Sequence, residues 1–236
     1  MIRFEGVYKR YVGPRDAWVL EEINIRIEPG EMVFLLGASG AGKSTLLKLI
    51  TLEERPSRGR VRVQQYDSTT IRRREIPYLR RRCGVVYQDF RLIRDKTVEE
   101  NVAYVLQMTG VLSAELLRNE ARRALHRVGL FAKRNDVPDN LSGGEQQRTA
   151  IARALVHQPP ILLADEPTGN LDPEMGTDIM RLLRGVNLAG ATVVVATHDQ
   201  ELAERFGDRI LVLDAGRVRA DRRIRERPVL SPEAAE

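Results

Sequence analysis

Hydrophobic positions along the chain change period twice. The first third alternates or runs β-branched: 2-IRFEGVY-8, 23-INIRI-27, 32-MVFLL-36, 60-RVRVQ-64 and 84-GVVYQ-88 predict strands. From Thr97 to Val128 the apolar residues fall at helical spacing, Val98, Val102, Val105 and Leu106 first, then Leu116, Leu117, Leu125 and Val128. Strand patterns return at 161-ILLAD-165, 191-ATVVVAT-197 and 209-RILVLD-214, with a helical segment between successive strands. Strand, helix, strand in this order predicts a mainly parallel sheet with both faces covered. The helical middle third then reads as an insertion into that α/β core. Beyond Arg217 the chain turns strongly basic, and 228-PVLSPEAAE-236 is expected to fray.

A length of 236 residues suits one elaborated domain or at most two small lobes. The N-terminus, 1-MIRFEGVYKRY-11, lacks the apolar stretch of a secretory signal. Apolar runs such as 193-VVVA-196 fall far short of the roughly 18 residues a membrane span needs, so any membrane role is expected to run through a partner. A single cysteine, Cys83, rules out an internal disulfide and suits a reducing compartment.

The formal net charge is +5, and only Lys9, Lys43, Lys48, Lys96 and Lys133 are Lys, the other 33 basic residues being Arg. A Lys inside a motif therefore stands out for its compact point charge. Two runs, 72-RRREIPYLRRR-82 and 217-RVRADRRIRER-227, carry six Arg each. Each reads as a solvated face, as a surface near anionic lipid, or as a nucleic-acid contact, for which aromatic interleaving is absent.

The chemistry begins at 37-GASGAGKST-45, which matches G-x-x-x-x-G-K-[ST] between an apolar strand and the amphipathic run 46-LLKLI-50. Gly37, Gly40 and Gly42 let the backbone of Ala38, Ser39, Ala41 and their neighbours wrap closely, so that N–H groups converge on one anion. The helix beginning near Lys43 adds its positive end. Lys43 offers an ammonium to terminal phosphates, and the Ser44 hydroxyl, with Thr45 following, offers an oxygen to Mg²⁺. The matching acidic group is 161-ILLADE-166, with Asp165 placed for the metal and Glu166 for orienting and deprotonating an attacking water. A strand-end acidic pair that merely caps the next turn is the plainer alternative. A second backbone cradle, 141-LSGGEQQR-148, also opens a helix, and two cradles can hold one triphosphate from opposite sides without belonging to one molecule.

These motifs together resemble the ABC ATPase family. LSGGEQQR is similar to the ABC signature motif, Tyr11 stands where the family stacks an aromatic ring on adenine, and Gln88 in 84-GVVYQDF-90 stands at the Q-loop. The stretch 166-EPTGNLD-172 resembles the D-loop, ending on Asp172, and His198 in 195-VATHD-199 stands at the switch histidine. The resemblance spans residues 2–220 and implies an α/β P-loop NTPase (RecA-like) core with an antiparallel β subdomain, residues 1–88 and 158–220. It also implies a helical subdomain at 89–157 and a basic, flexible tail at 221–236.

The resemblance implies a Mg²⁺-dependent ATPase working as a head-to-tail homodimer around two ATP. One chain would supply residues 37–45, Asp165, Glu166, Gln88 and His198, and the other Ser142, Gly143 and Gly144. Ser44, Gln88 and Asp165 would serve the metal, and Glu166 would be the base, with His198 on the γ-phosphate. His198 as a plain strand-end cap is the bland alternative, and His126 and His157 read as structural.

The stretch 166-EPTGNLD-172 is similar to the branch serving extrusion, lipoprotein-release and cell-division systems, and 1-MIRFEGVYKRY-11, 42-GKSTLLKLI-50, 75-EIPYLRRRCGVVYQD-89 and 95-DKTVEENVA-103 are most similar to its cell-division members, a lipoprotein-release or macrolide-type efflux system being the alternative. The resemblance implies an integral membrane partner and a peripheral position on the cytoplasmic face of the bacterial inner membrane. The partner would dock at the helical insert, where Phe90, Leu92 and Ile93 either line the groove or pack within the insert. A DNA-maintenance ATPase of this family would need a long coiled coil between the cradles, and no sustained heptads occur there.

Overall fold

A computed structural model describes residues 1–11, 17–110 and 113–225. In chain order the elements are β1 (Ile2–Arg10), β2 (Trp18–Ile27), β3 (Met32–Leu36), α1 (Lys43–Ile50), β4 (Arg58–Val63), β5 (Tyr66–Asp67), α2 (Ile76–Arg80) and β6 (Cys83–Val86). There follow α3 (Val98–Met108), α4 (Ala114–Arg127), α5 (Gly143–Leu155), β7 (Ile161–Asp165), α6 (Pro173–Leu188), β8 (Thr192–Thr197), α7 (Gln200–Phe206), β9 (Arg209–Asp214) and β10 (Arg217–Arg223).

The strands form two sheets. One is antiparallel with order β2-β1-β4-β5, and the other has order β10-β9-β3-β8-β7-β6. In the larger sheet β9, β3, β8, β7 and β6 run parallel and only β10 is antiparallel. The central strands explain why their sequences are continuously apolar rather than alternating. Met32, Phe34 and Leu36 of β3 face the core shared with the helices, whereas Val33 and Leu35 face the core shared with α1 and the antiparallel sheet. Val193 and Val195 against Val194 and Ala196 repeat the division on β8. A strand buried on both faces has no position left for a polar side chain.

Helix α1 lies between the two sheets, burying Leu46, Leu47, Leu49 and Ile50 in that second core. Each such side chain taken from water contributes about 1.5–3 kcal/mol, which fixes the helix axis and hence where its N-terminus points. The inserted helices α3 and α4 pack with α5 on one continuous core that includes Val98, Val102, Leu106, Leu117 and Leu125 together with Phe34 and Val195 of the sheet. Helix α5 comes so close to β6 that a Cβ on Gly84 would stand 2.3 Å from the Ala154 carbonyl oxygen.

The C-terminal boundary differs from expectation. The basic segment expected to be tail from residue 221 belongs to the sheet through Arg223, because β10 pairs with β9 from Arg217↔Asp214 to Arg223↔Arg209. Asp221 there receives two hydrogen bonds of 2.6 Å from the Arg209 guanidinium. The expected fraying of 228-PVLSPEAAE-236 lies outside the described residues.

Candidate functional site

The loop after β3 is shaped by backbone that only glycine tolerates. Gly40 and Gly42 have φ of +81° and +103°, and a Cβ on Gly37 would stand 2.4 Å from the Leu213 carbonyl oxygen. Gly42 is the N-cap of α1, which has no side-chain cap. The later helices α3 to α7 are all capped, by Thr97, Ser113, Ser142, Asp172 and Asp199. An uncapped N-terminus leaves its first N–H groups unbonded and its positive end exposed, which is the arrangement an anion completes.

These N–H groups face a cavity of about 550 Å³ lined by Val19, Ala38, Ser39, Gly40, Gly42, Lys43, Ser44, Thr45, Gln88, Glu166 and His198. Lys43 is buried, and its Nζ donates to the carbonyls of Gly37 at 2.7 Å and Ala38 at 3.2 Å. It also stands 3.2 Å from Glu166 Oε1. The other oxygen, Oε2, lies 3.0 Å from His198 Nδ1. Glu166 is thus gripped from two sides. Its backbone is strained as well, with φ of +44°, and its N–H donates to the Ala196 carbonyl at 2.8 Å. A non-glycine residue held in the left-handed region costs on the order of 1–3 kcal/mol, and such strain concentrates at functional positions.

Asp165, the residue before, accepts a 3.0 Å hydrogen bond from the Ser44 hydroxyl. Burial pushes its carboxyl above the ordinary value; the Ser44 bond pulls it back in part, and the neighbouring Glu166 charge adds to the rise. A cation at this point would relieve the cost of that charge. The donors gathered here, a hydroxyl, a carboxylate and the Gln88 amide at the cavity wall, include the hard oxygens that Mg²⁺ takes. The residues therefore fit that ion.

Gln88 is tied to the segment after Glu166, since its carbonyl accepts from Asn170 Nδ2 at 3.1 Å. The chain beyond it bends through Phe90 and Arg91, both at positive φ. Arg153 of α5 holds this bend by donating to the carbonyls of both, at 2.6 Å to Phe90. Gln147, also on α5 and buried, donates to the Pro167 carbonyl at 2.7 Å, one residue past Glu166. No local sequence pattern marks either link, and only the packing of α5 against β6 brings them together.

The second cradle is not part of this cavity. Ser142 caps α5, its Oγ accepting from Glu145 N–H at 3.3 Å while Glu145 Oε2 accepts from Ser142 N–H at 2.9 Å. A Cβ on Gly144 would come within 2.8 Å of Met175. Asp172 also lies outside the lining and caps α6 by accepting from Met175 N–H at 2.9 Å. Tyr11 directly follows β1 and is exposed, with Lys9 Nζ 4.8 Å from its ring centroid, and the residue that reaches the cavity from this side is Val19, which the motifs did not mark. His198 is not a helix cap; that task falls to Asp199, which accepts from Leu202 N–H at 2.9 Å. His126 stacks on Phe131, with ring centroids 3.9 Å apart.

An uncapped phosphate-type loop and a gripped strand-end carboxylate, on a parallel sheet carrying a helical insert, define a nucleotide-binding cassette. The family model described as ABC transporter matches residues 20–169, and the chain belongs to that ATPase family. Its relatives include the cell division ATP-binding protein FtsE of Escherichia coli K12, 50% identical over 216 residues that cover 92% of this chain and 96% of the relative. The protein of the same name from Mycobacterium tuberculosis is 46% identical over 221 residues, 94% of this chain and 95% of that one. Among solved structures, the dimeric ATP-binding cassette MJ0796 in a post-hydrolysis state with ADP and Pi is 39% identical, with a TM-score of 0.87 over 96% of this chain and all of that one.

Proposed function

We propose that this chain is the ATP-hydrolysing subunit of a bacterial cell-division complex. Two copies close head to tail around two ATP, and closure drives an integral membrane partner of the FtsX type, regulating cell-wall hydrolysis from the cytoplasmic face of the inner membrane. The observation that carries the catalytic part is the Glu166 carboxylate, fixed between Lys43 and His198 beside the uncapped end of α1.

In this reading the N–H groups of residues 37–45 and the Lys43 ammonium bind the phosphates. Glu166 takes a proton from the attacking water, His198 contacts the γ-phosphate, and Tyr11 stacks on the adenine. Ser44, Asp165 and Gln88 would hold Mg²⁺, which neutralises phosphate charge when bound. Ser142, Gly143, Gly144 and Asp172 lie outside their own chain's cavity, and a dimeric relative supports their service to the other copy's nucleotide. The cell-division role is supported by the FtsE relatives. Among the described residues no helix is long and apolar enough to cross a membrane, in keeping with a separate spanning partner.

Lys43→Ala tests the nucleotide assignment. It should abolish measurable binding of a fluorescent ATP analogue and turnover alike. Normal turnover would refute the site.

A further inference from the structure

The two arginine runs look alike in sequence, and the fold treats them oppositely. In the second, on and after β10, most of the cations meet carboxylates. Arg217 pairs with Glu21 at 2.6 Å, Arg219 with Asp214 at 3.4 Å, Arg222 with Glu204 at 3.6 Å and Arg223 with Glu31 at 3.5 Å. In the first run Arg72, Arg73, Arg74, Arg80, Arg81 and Arg82 are all exposed, and among the described residues none forms an ion pair. Three of them bond only to neutral oxygens: Arg80 to the carbonyls of Thr51 and Leu52 at 3.2 Å, Arg81 to that of Met108 at 3.3 Å, and Arg82 to Gln64 Oε1 at 2.9 Å. The one carboxylate within the stretch, Glu75, accepts the Arg72 backbone N–H at 2.8 Å.

Apolar groups stand among these charges. Tyr78 is 57% exposed and Met108 is 63% exposed. Arg81 joins them, its guanidinium 5.3 Å from the Tyr78 ring centroid while it holds the Met108 carbonyl. Arg81 thus links the protruding ring on α2 to the thioether that ends α3, and Arg72, Arg73 and Arg74 stand exposed on the turn directly before α2. None of these residues lines the nucleotide cavity.

We propose that this face, Arg72, Arg73 and Arg74 with Tyr78, Arg81 and Met108, rests on the headgroups of an anionic phospholipid bilayer. Guanidinium forks match lipid phosphates in charge and geometry. An amphipathic ring and a flexible thioether suit the boundary between headgroup and acyl chain. Nucleic acid fits the same charge but gains its stacking from open ring faces, and Arg81 already covers one face of Tyr78. Each cation near an anionic leaflet contributes on its own, so loss of three should be severe.

The test is flotation of the whole purified chain with vesicles of phosphatidylcholine alone or with added phosphatidylglycerol, across a salt series. Binding should require the anionic lipid and weaken as salt shortens the screening length. The combined Arg72→Ala, Arg73→Ala, Arg74→Ala variant should partition on the order of 100-fold more weakly, with its ATP turnover unchanged as the control for folding. Tyr78→Ala should also weaken binding, whereas Arg219→Ala with Arg222→Ala should leave it intact. Equal binding to neutral vesicles, no binding to either kind at low salt, full binding by the triple variant, or a preference for an oligonucleotide over the vesicles would each overturn the proposal.

Discussion

Lys43 Nζ stands 3.2 Å from Glu166 Oε1, so the P-loop ammonium and the carboxylate proposed as general base neutralise each other across the cavity. In the proposed reading an arriving phosphate would compete with Glu166 for Lys43 and leave the carboxylate free to turn to water. Glu166→Gln removes the competitor and the base together. Hydrolysis should fall by about 10²–10⁴, while a titration with a fluorescent ATP analogue should give affinity at least as tight as the parent. Markedly weaker binding would mean that Glu166 supports the loop instead of opposing the ligand.

His198 meets the same carboxylate from the other side at 3.0 Å, and its side chain is mostly exposed. Its loss should therefore show in the chemistry and not in the fold. His198→Ala is expected to lower turnover by about 10² and to change unfolding free energy by less than about 0.5 kcal/mol. Steady-state kinetics beside urea denaturation separates the two effects, and unchanged turnover would remove His198 from the site.

Gly84 is a tight point between sheet and insert, where a Cβ would meet the Ala154 carbonyl oxygen at 2.3 Å and Pro159 at 3.0 Å. Gly84→Ala must push α5 away from β6, and with it the Gln147 and Arg153 links to the segments around Glu166 and Gln88. A loss of about 1–3 kcal/mol is expected. A urea midpoint equal to the parent's would contradict so close an approach.

Cys83 opens β6 inside the core, and burial pushes its thiol up to about 12. Thiolate is the reacting form and is almost absent at neutral pH in the folded chain. A maleimide or disulfide reagent should modify the protein only as fast as it unfolds, and promptly in denaturant. Rapid labelling of the native protein would refute this.

How much of this was legible depended on whether one short segment held the signal. The strands β3, β7 and β8 announced themselves because burial on both faces leaves unbroken apolar runs at their centres, and the loop before α1 because its backbone needs glycine at fixed spacing. Strand β10 was hidden, since Arg217 to Arg223 has the composition of a solvated tail, and only acids scattered from Glu21 to Asp214 give its arginines partners in the fold. Val19 at the cavity and the Gln147–Pro167 bond are products of how separate elements stack, and no local pattern encodes them. The strained backbone of Glu166 is similar: 161-ILLADE-166 ends like any strand, and nothing in those residues marks the turn to φ +44°.

In the proposed dimer a site built on one chain is completed by Ser142, Gly143 and Gly144 of another, so oligomeric state reports on it. In sedimentation velocity with ATP and Mg²⁺, the slow-hydrolysing Glu166→Gln variant should run as a dimer. Adding Ser142→Arg should return it to monomer while each chain still binds ATP. A Glu166→Gln protein that stays monomeric at saturating ATP, or a double variant that dimerises as well as the single one, would rule out a site shared between two chains.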